Sequence, residues 1–273
     1  MTQATTQEQT PALVGNRWRQ LARLVLLLLW SLIMPMAFFL SKLIPGFDSQ
    51  RLTRVYHWGV CTLIGLSVQF KGDLSAHIPT LFVGNHVSYL DIFALGQKIP
   101  GSFVAKSEVA SWPVLNKLAK LQDTLFIERK ANRAKQQLQL FQQHLITQRN
   151  LILFPEGTST NGAEVKPFKS SLFAAAETDE LSVQIQAFTI VYTQYGGRGM
   201  NQSERDNFAW YADMPFAAHF FNVLALRNVT VVVQFHKPMT ISNFANRKAC
   251  AEQAEQQVRG SLEQELIDSG SQL

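Results

Sequence analysis

The stretch Gly84-Asn85-His86-Val87-Ser88-Tyr89-Leu90-Asp91 sets one imidazole and one carboxylate five positions apart. A neutral imidazole is the usual general base near pH 7. It works best when a carboxylate accepts a hydrogen bond from its second ring nitrogen. On one straight helix, residues five apart point about 140° away from each other. His86 and Asp91 can therefore meet only across a strand-to-helix junction, with His86 in the loop and Asp91 in the first helical turn. Two plainer readings stay open: a satisfied core histidine, and Ser88-x-x-Asp91 as a capping box. The chain has no G-x-S-x-G, no C-x-x-C and no H-E-x-x-H, so serine, cysteine and metal chemistries lack their patterns. A base without a protein nucleophile points to direct transfer, with His86 activating a hydroxyl on the substrate.

A second candidate stretch is Phe154-Pro155-Glu156-Gly157-Thr158-Ser159-Thr160. Backbone N–H groups of Gly157 and Thr158 could bind an anionic head or a developing oxyanion, and Glu156 could orient a donor or a substrate amine. A plain turn at a strand end has the same composition. Arg129, in Phe126-Ile127-Glu128-Arg129, could grip a phosphate or carboxylate. Lys106 follows another strand, and Lys169 lies one loop beyond Glu156. Each of these three cations, taken singly, also fits a solvated surface.

The elements around these residues alternate. Val68–Lys71, Thr80–Val83, Phe103–Ala105, Leu125–Ile127, Leu151–Phe154, Val183–Tyr192 and Val229–Phe235 read as strands, several of them continuous apolar runs. Ala131–Arg149 reads as an amphipathic helix through Ala134, Leu138, Phe141 and Leu145. Short strands alternating with helices predict an α/β sandwich with a mainly parallel central sheet. Loops at the carboxyl ends of such strands carry function. Both candidate stretches sit there, which is the reason to expect them to meet.

The 273 residues carry a net charge of +5 and are 47% apolar, enough for a sizeable core. The basic residues are scattered, which argues against DNA or RNA and suits anionic lipid. Two distant cysteines, Cys61 and Cys250, form no disulfide framework. Residues 1–16 read as a disordered tail and 17–66 as a membrane-associated helical segment. Residues 67–245 read as the α/β domain, and 246–273 as a polar surface helix and tail. Arg17, Arg19 and Arg23 precede Leu24–Leu40, an apolar run interrupted by Ser31 and Pro35. As helix it is about 26 Å long, against a hydrocarbon core of about 30 Å. A spanning helix, a helix inserted in one leaflet and a signal peptide are the competing readings. A second helix is expected over Asp48–Leu66, with Tyr56 and Trp58 suited to an interface.

Asn85-His86-x4-Asp91, Phe126-Ile127-Glu128-Arg129 and Phe154-Pro155-Glu156-Gly157-Thr158, in that order, resemble the glycerolipid acyltransferases over roughly residues 50–240. The resemblance implies a glycerolipid-acyltransferase-like sandwich. It makes His86 the general base and Asp91 its polarising partner. It has Arg129 and the Glu156-Gly157 turn position the acceptor head; Asn85, Thr158, Lys106 and Lys169 complete the candidate substrate-binding residues. It implies a fatty acyl thioester of acyl carrier protein or coenzyme A as donor, a membrane lipid as acceptor, no further cofactor and no metal. The implied location is the cytoplasmic face of a bacterial inner membrane. Asp123, Ser159 and Ala187 stand where the family commonly has glycine, arginine and proline. The serine at 159 weakens the case for a phosphate on the acceptor. Ala209-Trp210-Tyr211-Ala212-Asp213-Met214, with His219 following, is similar to a block in bacterial lyso-ornithine lipid acyltransferases.

Overall fold

The computed structural model describes residues 13–48, 50–107, 113–128, 131–178 and 180–270. Two helices come first, α1 (Arg17–Ser41) and α2 (Gln50–Ile64). Strands β1 (Leu66–Lys71) and β2 (Thr80–Gly84) lead to helix α3 (Leu90–Gly96). Next come β3 (Gly101–Lys106), α4 (Pro113–Leu121), β4 (Leu125–Ile127), α5 (Ala134–Ile146) and β5 (Asn150–Leu153). A short α6 (Ser170–Phe173) precedes the long β6 (Gln184–Tyr195) and the two-residue β7 (Arg198–Gly199). The chain closes with α7 (Gln202–Arg205), α8 (Phe216–Ala225), β8 (Val229–Phe235) and α9 (Arg247–Asp268).

The sheet runs β1-β8-β6-β2-β5-β3-β4, with β7 on β6. Strands β6, β2, β5, β3 and β4 are mutually parallel. The β8–β6 junction and the β7 ribbon are antiparallel. The expected mainly parallel sheet is therefore present. The period-2 alternation sorts side chains to two cores. Phe82, Phe103, Ile152, Phe188, Ile190 and Tyr192 face one side, with Val60, Leu95 and Leu224 from α2, α3 and α8. Leu81, Val83, Leu151, Leu153, Ile185 and Val191 face the other, with Phe141 from α5 and Val258 from α9. Because both faces are covered, the central strands read as unbroken apolar runs. Truncating a fully buried Phe82 to alanine would cost about 3–5 kcal/mol.

One expectation changes. The carboxy-terminal helix is no free surface element. Cys250, Ala251, Ala254, Val258, Leu262 and Leu266 form a buried stripe that closes the second core; Glu265 is buried and pairs with Lys71, while Glu252, Gln253, Gln256, Glu263 and Gln264 face out. Two of the arginines of α1 are spent on the end of α8. Arg23 is buried and donates to the carbonyls of Leu224 (3.3 Å) and Leu226 (2.8 Å) and to Asn228 Oδ1 (3.0 Å). Arg19 donates to Ala225 O at 3.1 Å. They satisfy the free carbonyls at the carboxyl end of α8, where cations are favoured.

Helix α1 docks along its length. Trp30 Nε1 donates to Tyr56 O, and Gly59 lets the indole approach the α2 backbone so closely that a Cβ there would collide with it. Leu27, Met34 and Phe38 are buried, whereas Leu21, Val25, Leu28, Leu32, Ile33, Met36 and Leu40 are exposed. Trp58 of α2 is also exposed. Among the described residues α1 is the one helix long and apolar enough to cross a membrane, by length and composition.

Candidate active site

Strand β2 ends at Gly84, and the chain turns through Asn85 to Ser88 into α3. Asp91 lies in the first turn of that helix. His86 Nδ1 and Asp91 Oδ2 are 2.8 Å apart. The same oxygen accepts the amides of Val87 (2.8 Å) and Ser88 (3.0 Å), and Asp91 Oδ1 accepts the Tyr192 hydroxyl at 2.8 Å. Asp91 is fully buried. Four donors converge on this one buried carboxyl. An ionised Asp91 takes the Nδ1 proton as donor, so Nε2 keeps its lone pair. The imidazole stacks on the Phe154 ring at 4.0 Å and 15°, and its side chain is 16% exposed. The structure thus combines the two readings of Asp91: it binds the loop amides as a helix-capping residue would and also orients His86.

The second stretch meets the first because β2 and β5 are neighbouring parallel strands, paired Val83 to Leu153. Their following loops emerge side by side, about 5 Å apart. Glu156 Oε1 accepts the His86 amide at 2.8 Å, and Oε2 accepts the Lys166 amide at 2.9 Å. Thr160 N donates back to His86 O at 2.9 Å. Burial pushes the Glu156 carboxyl up to about 7, against the pull of those two amides and of Lys166.

Residues 66–192 match the family described as Acyltransferase. The chain is 39% identical over 205 residues to a lyso-ornithine lipid O-acyltransferase of Rhodobacter capsulatus, covering 74% of this chain and 72% of that protein. It is 36% identical over 242 residues to the lyso-ornithine lipid O-acyltransferase of Brucella abortus, covering 86% and 90%. The chain belongs to the acyltransferase family. It is an enzyme of that class. The crystal structure of the 1-acyl-sn-glycerophosphate acyltransferase from Thermotoga maritima has the same fold, with a TM-score of 0.64 at 20% identity, over 90% of this chain and 97% of that one.

Several candidate residues of this acyltransferase have different tasks from those expected. Asn85 is buried, donates to Ile190 O (2.9 Å) and accepts from Ile190 N (2.8 Å). Both ends of its amide hold β6 to the His86 loop, so its polar atoms are spent within the protein. Glu156 is buried with both oxygens on backbone amides, so it anchors His86 and does not reach out to a substrate amine. The Gly157 amide is spent on Phe154 O within the turn. Gly157 has φ +74°, and a Cβ there would collide with Lys169 Nζ, so the turn requires glycine and brings Lys169 beside it. Thr158 is exposed, with its hydroxyl 3.4 Å from Ser159 O. Lys106 ends β3 three strands' breadth from β6, and its side chain lies outside the described residues, as does Arg129.

Two contributors had no signal in the sequence, and Phe154 of the second stretch has a task not read from it. Tyr192 reaches Asp91 from 101 positions away, Lys166 gives Glu156 its backbone amide and its nearby charge, and Phe154 acts as a stacking surface. The family-motif departures also acquire reasons. Ser159 Oγ donates to Trp210 O at 2.6 Å. Asp123 occupies the left-handed region at φ +54°, the conformation glycine adopts most easily, and pairs with Arg149 at 2.8 Å. Ala187 is fully buried, and its carbonyl accepts His236 N at 2.9 Å.

Proposed function

We propose that this acyltransferase moves a fatty acyl group from the thioester of acyl carrier protein or coenzyme A onto a lysolipid hydroxyl, favouring a lyso-ornithine lipid over 1-acylglycerol 3-phosphate. The observation that carries this reading is the His86–Asp91 pair at 2.8 Å, with Nε2 left as the available base. His86 Nε2 takes the acceptor hydroxyl proton as the oxygen attacks the thioester carbonyl carbon. The tetrahedral intermediate then collapses, the C–S bond breaks, and the imidazolium returns the proton to the leaving thiolate. No acyl-enzyme forms and no cofactor beyond the thioester is used. Of the two turn amides, that of Thr158 remains for the oxyanion, and Lys169 and Arg129 for the acceptor head. The preference for lyso-ornithine lipid is supported by the names of the relatives and by the absence of an arginine at position 159.

The same reading puts the enzyme on the cytoplasmic face of a bacterial inner membrane. One face of α1 is committed to α2 and α8 from Arg19 to Phe38. A helix held this way along the domain surface fits insertion into one leaflet better than a span. The test is to supply labelled acyl-carrier thioester or acyl-coenzyme A with each lysolipid in vesicles. Labelled two-chain ornithine lipid supports the proposal; release of free fatty acid alone, without acceptor dependence, makes the enzyme a thioesterase.

A further inference from the structure

The segment from Asp206 to Leu226 contains two aspartates, Asp206 and Asp213, and no lysine or arginine. It is fastened to both catalytic loops through one residue. Trp210 N donates to Val87 O at 2.9 Å, next to the base, and Trp210 O accepts Ser159 Oγ at 2.6 Å, next to the Glu156 turn. Trp210 Nε1 closes the segment on itself by donating to Met214 O at 2.9 Å. The indole meets the Tyr89 ring edge to face at 5.8 Å, and the Tyr89 hydroxyl lies 3.1 Å from His219 Nδ1. Arg205, the nearest cation before the segment, is buried and turned inward onto Tyr192 O, Met200 O and Gln202 Oε1. Asp213 is exposed and Asp206 half-buried.

The segment fastened to the two loops is therefore aromatic, and it carries the exposed carboxylate of Asp213 three positions after Trp210. An ammonium group is attracted both by carboxylates and by the faces of indole and phenol rings, whereas a phosphomonoester dianion is repelled by the carboxylates. The serine hydroxyl at 159 supplies one of the two hydrogen bonds that fasten Trp210 to those loops. We propose that the Ser159–Trp210 hydrogen bond, by holding the Trp210–Asp213 segment against the catalytic loops, determines acceptor choice in favour of a head group bearing an ammonium and against a phosphomonoester. This inference rests on the lysolipid reading above and names residues that would set its specificity.

The test compares lyso-ornithine lipid with 1-acylglycerol 3-phosphate, each offered separately with one acyl donor in vesicles, for wild type, Ser159→Ala and Asp213→Lys. Asp213 is exposed, so its replacement leaves the fold intact even if Ser159→Ala does not fold. The ratio of kcat/KM for the ornithine acceptor over the phosphate acceptor should fall at least tenfold in each folded variant. The change should lie in acceptor KM, with donor KM unchanged within twofold. A ratio within twofold of wild type in any folded variant overturns the inference and leaves the reaction class standing. Wild-type enzyme that acylates neither lipid, or prefers the phosphate, overturns the acceptor reading and this inference together.

Discussion

His86 Nδ1 stands 2.8 Å from Asp91 Oδ2, and that oxygen also accepts the backbone amides of Val87 and Ser88. One carboxyl thereby fixes the loop and the ring it carries. Replacing Asp91 with asparagine leaves one carbonyl oxygen for donors that now converge on two carboxylate oxygens. Transfer should fall roughly 100- to 10,000-fold, the scale of losing an oriented general base. Steady-state kcat with the acceptor saturating, alongside a thermal melt showing a folded protein, checks this.

Tyr192 closes the far side of the same carboxyl from β6. Tyr192→Phe removes one donor and leaves Asp91 Oδ1 unpaired in the core. A stability loss of about 1–3 kcal/mol is expected by denaturant unfolding. The loss of kcat should be about tenfold or less, since His86 keeps its partner.

Glu156 carries a pH signature. Burial raises its folded pKa to about 7, above the value near 4.5 expected when unfolded. The folded state then binds more protons between those limits, so this group's stabilisation is complete below about 4.5 and fades as pH rises toward 7. The change is about 3 kcal/mol at most, from about 1.4 kcal/mol per unit. Unfolding free energies of wild type should fall over that window. Those of Glu156→Gln should be flatter, and its transfer rate lower because the His86 and Lys166 amides no longer share a carboxylate.

The exposed apolar face of α1 predicts how the enzyme is held. Leu28 and Leu32 are 63% and 65% exposed, so replacing both with aspartate costs little folding energy. Losing two leucines from the bilayer, each contributing about 1.5–3 kcal/mol, should cut vesicle partitioning by at least tenfold. Flotation with anionic vesicles reads this directly. Unchanged flotation would move the membrane contact elsewhere.

Much of this site could be read in the sequence because its key relationships are local or repeated. His86 and Asp91 are five positions apart, and the apolar runs ending at Gly84 and Pro155 marked the strands that bring their loops together. What was not legible depends on pairings across the sheet. Tyr192 became visible only once β6 was laid beside β2, and the inward role of Asn85 required knowing that Ile190 lies opposite it. The carboxy-terminal helix looked polar because Ala and Cys supply much of its buried stripe, and small residues give little hydrophobic contrast. Ser159 looked like a missing arginine; its bond to Trp210 spans 51 positions and has no pattern in the chain.

The proposed reaction turns on His86 Nε2 taking the proton from a lipid hydroxyl. Single-turnover acyl transfer by His86→Ala in vesicles, with flotation measured on the same sample, tests it most directly. The prediction is a rate lower by roughly 100- to 10,000-fold with membrane binding unchanged and no acyl group left on the protein. A rate within a factor of a few of wild type, or a covalent acyl-protein that forms and decays at the rate of turnover, would contradict it.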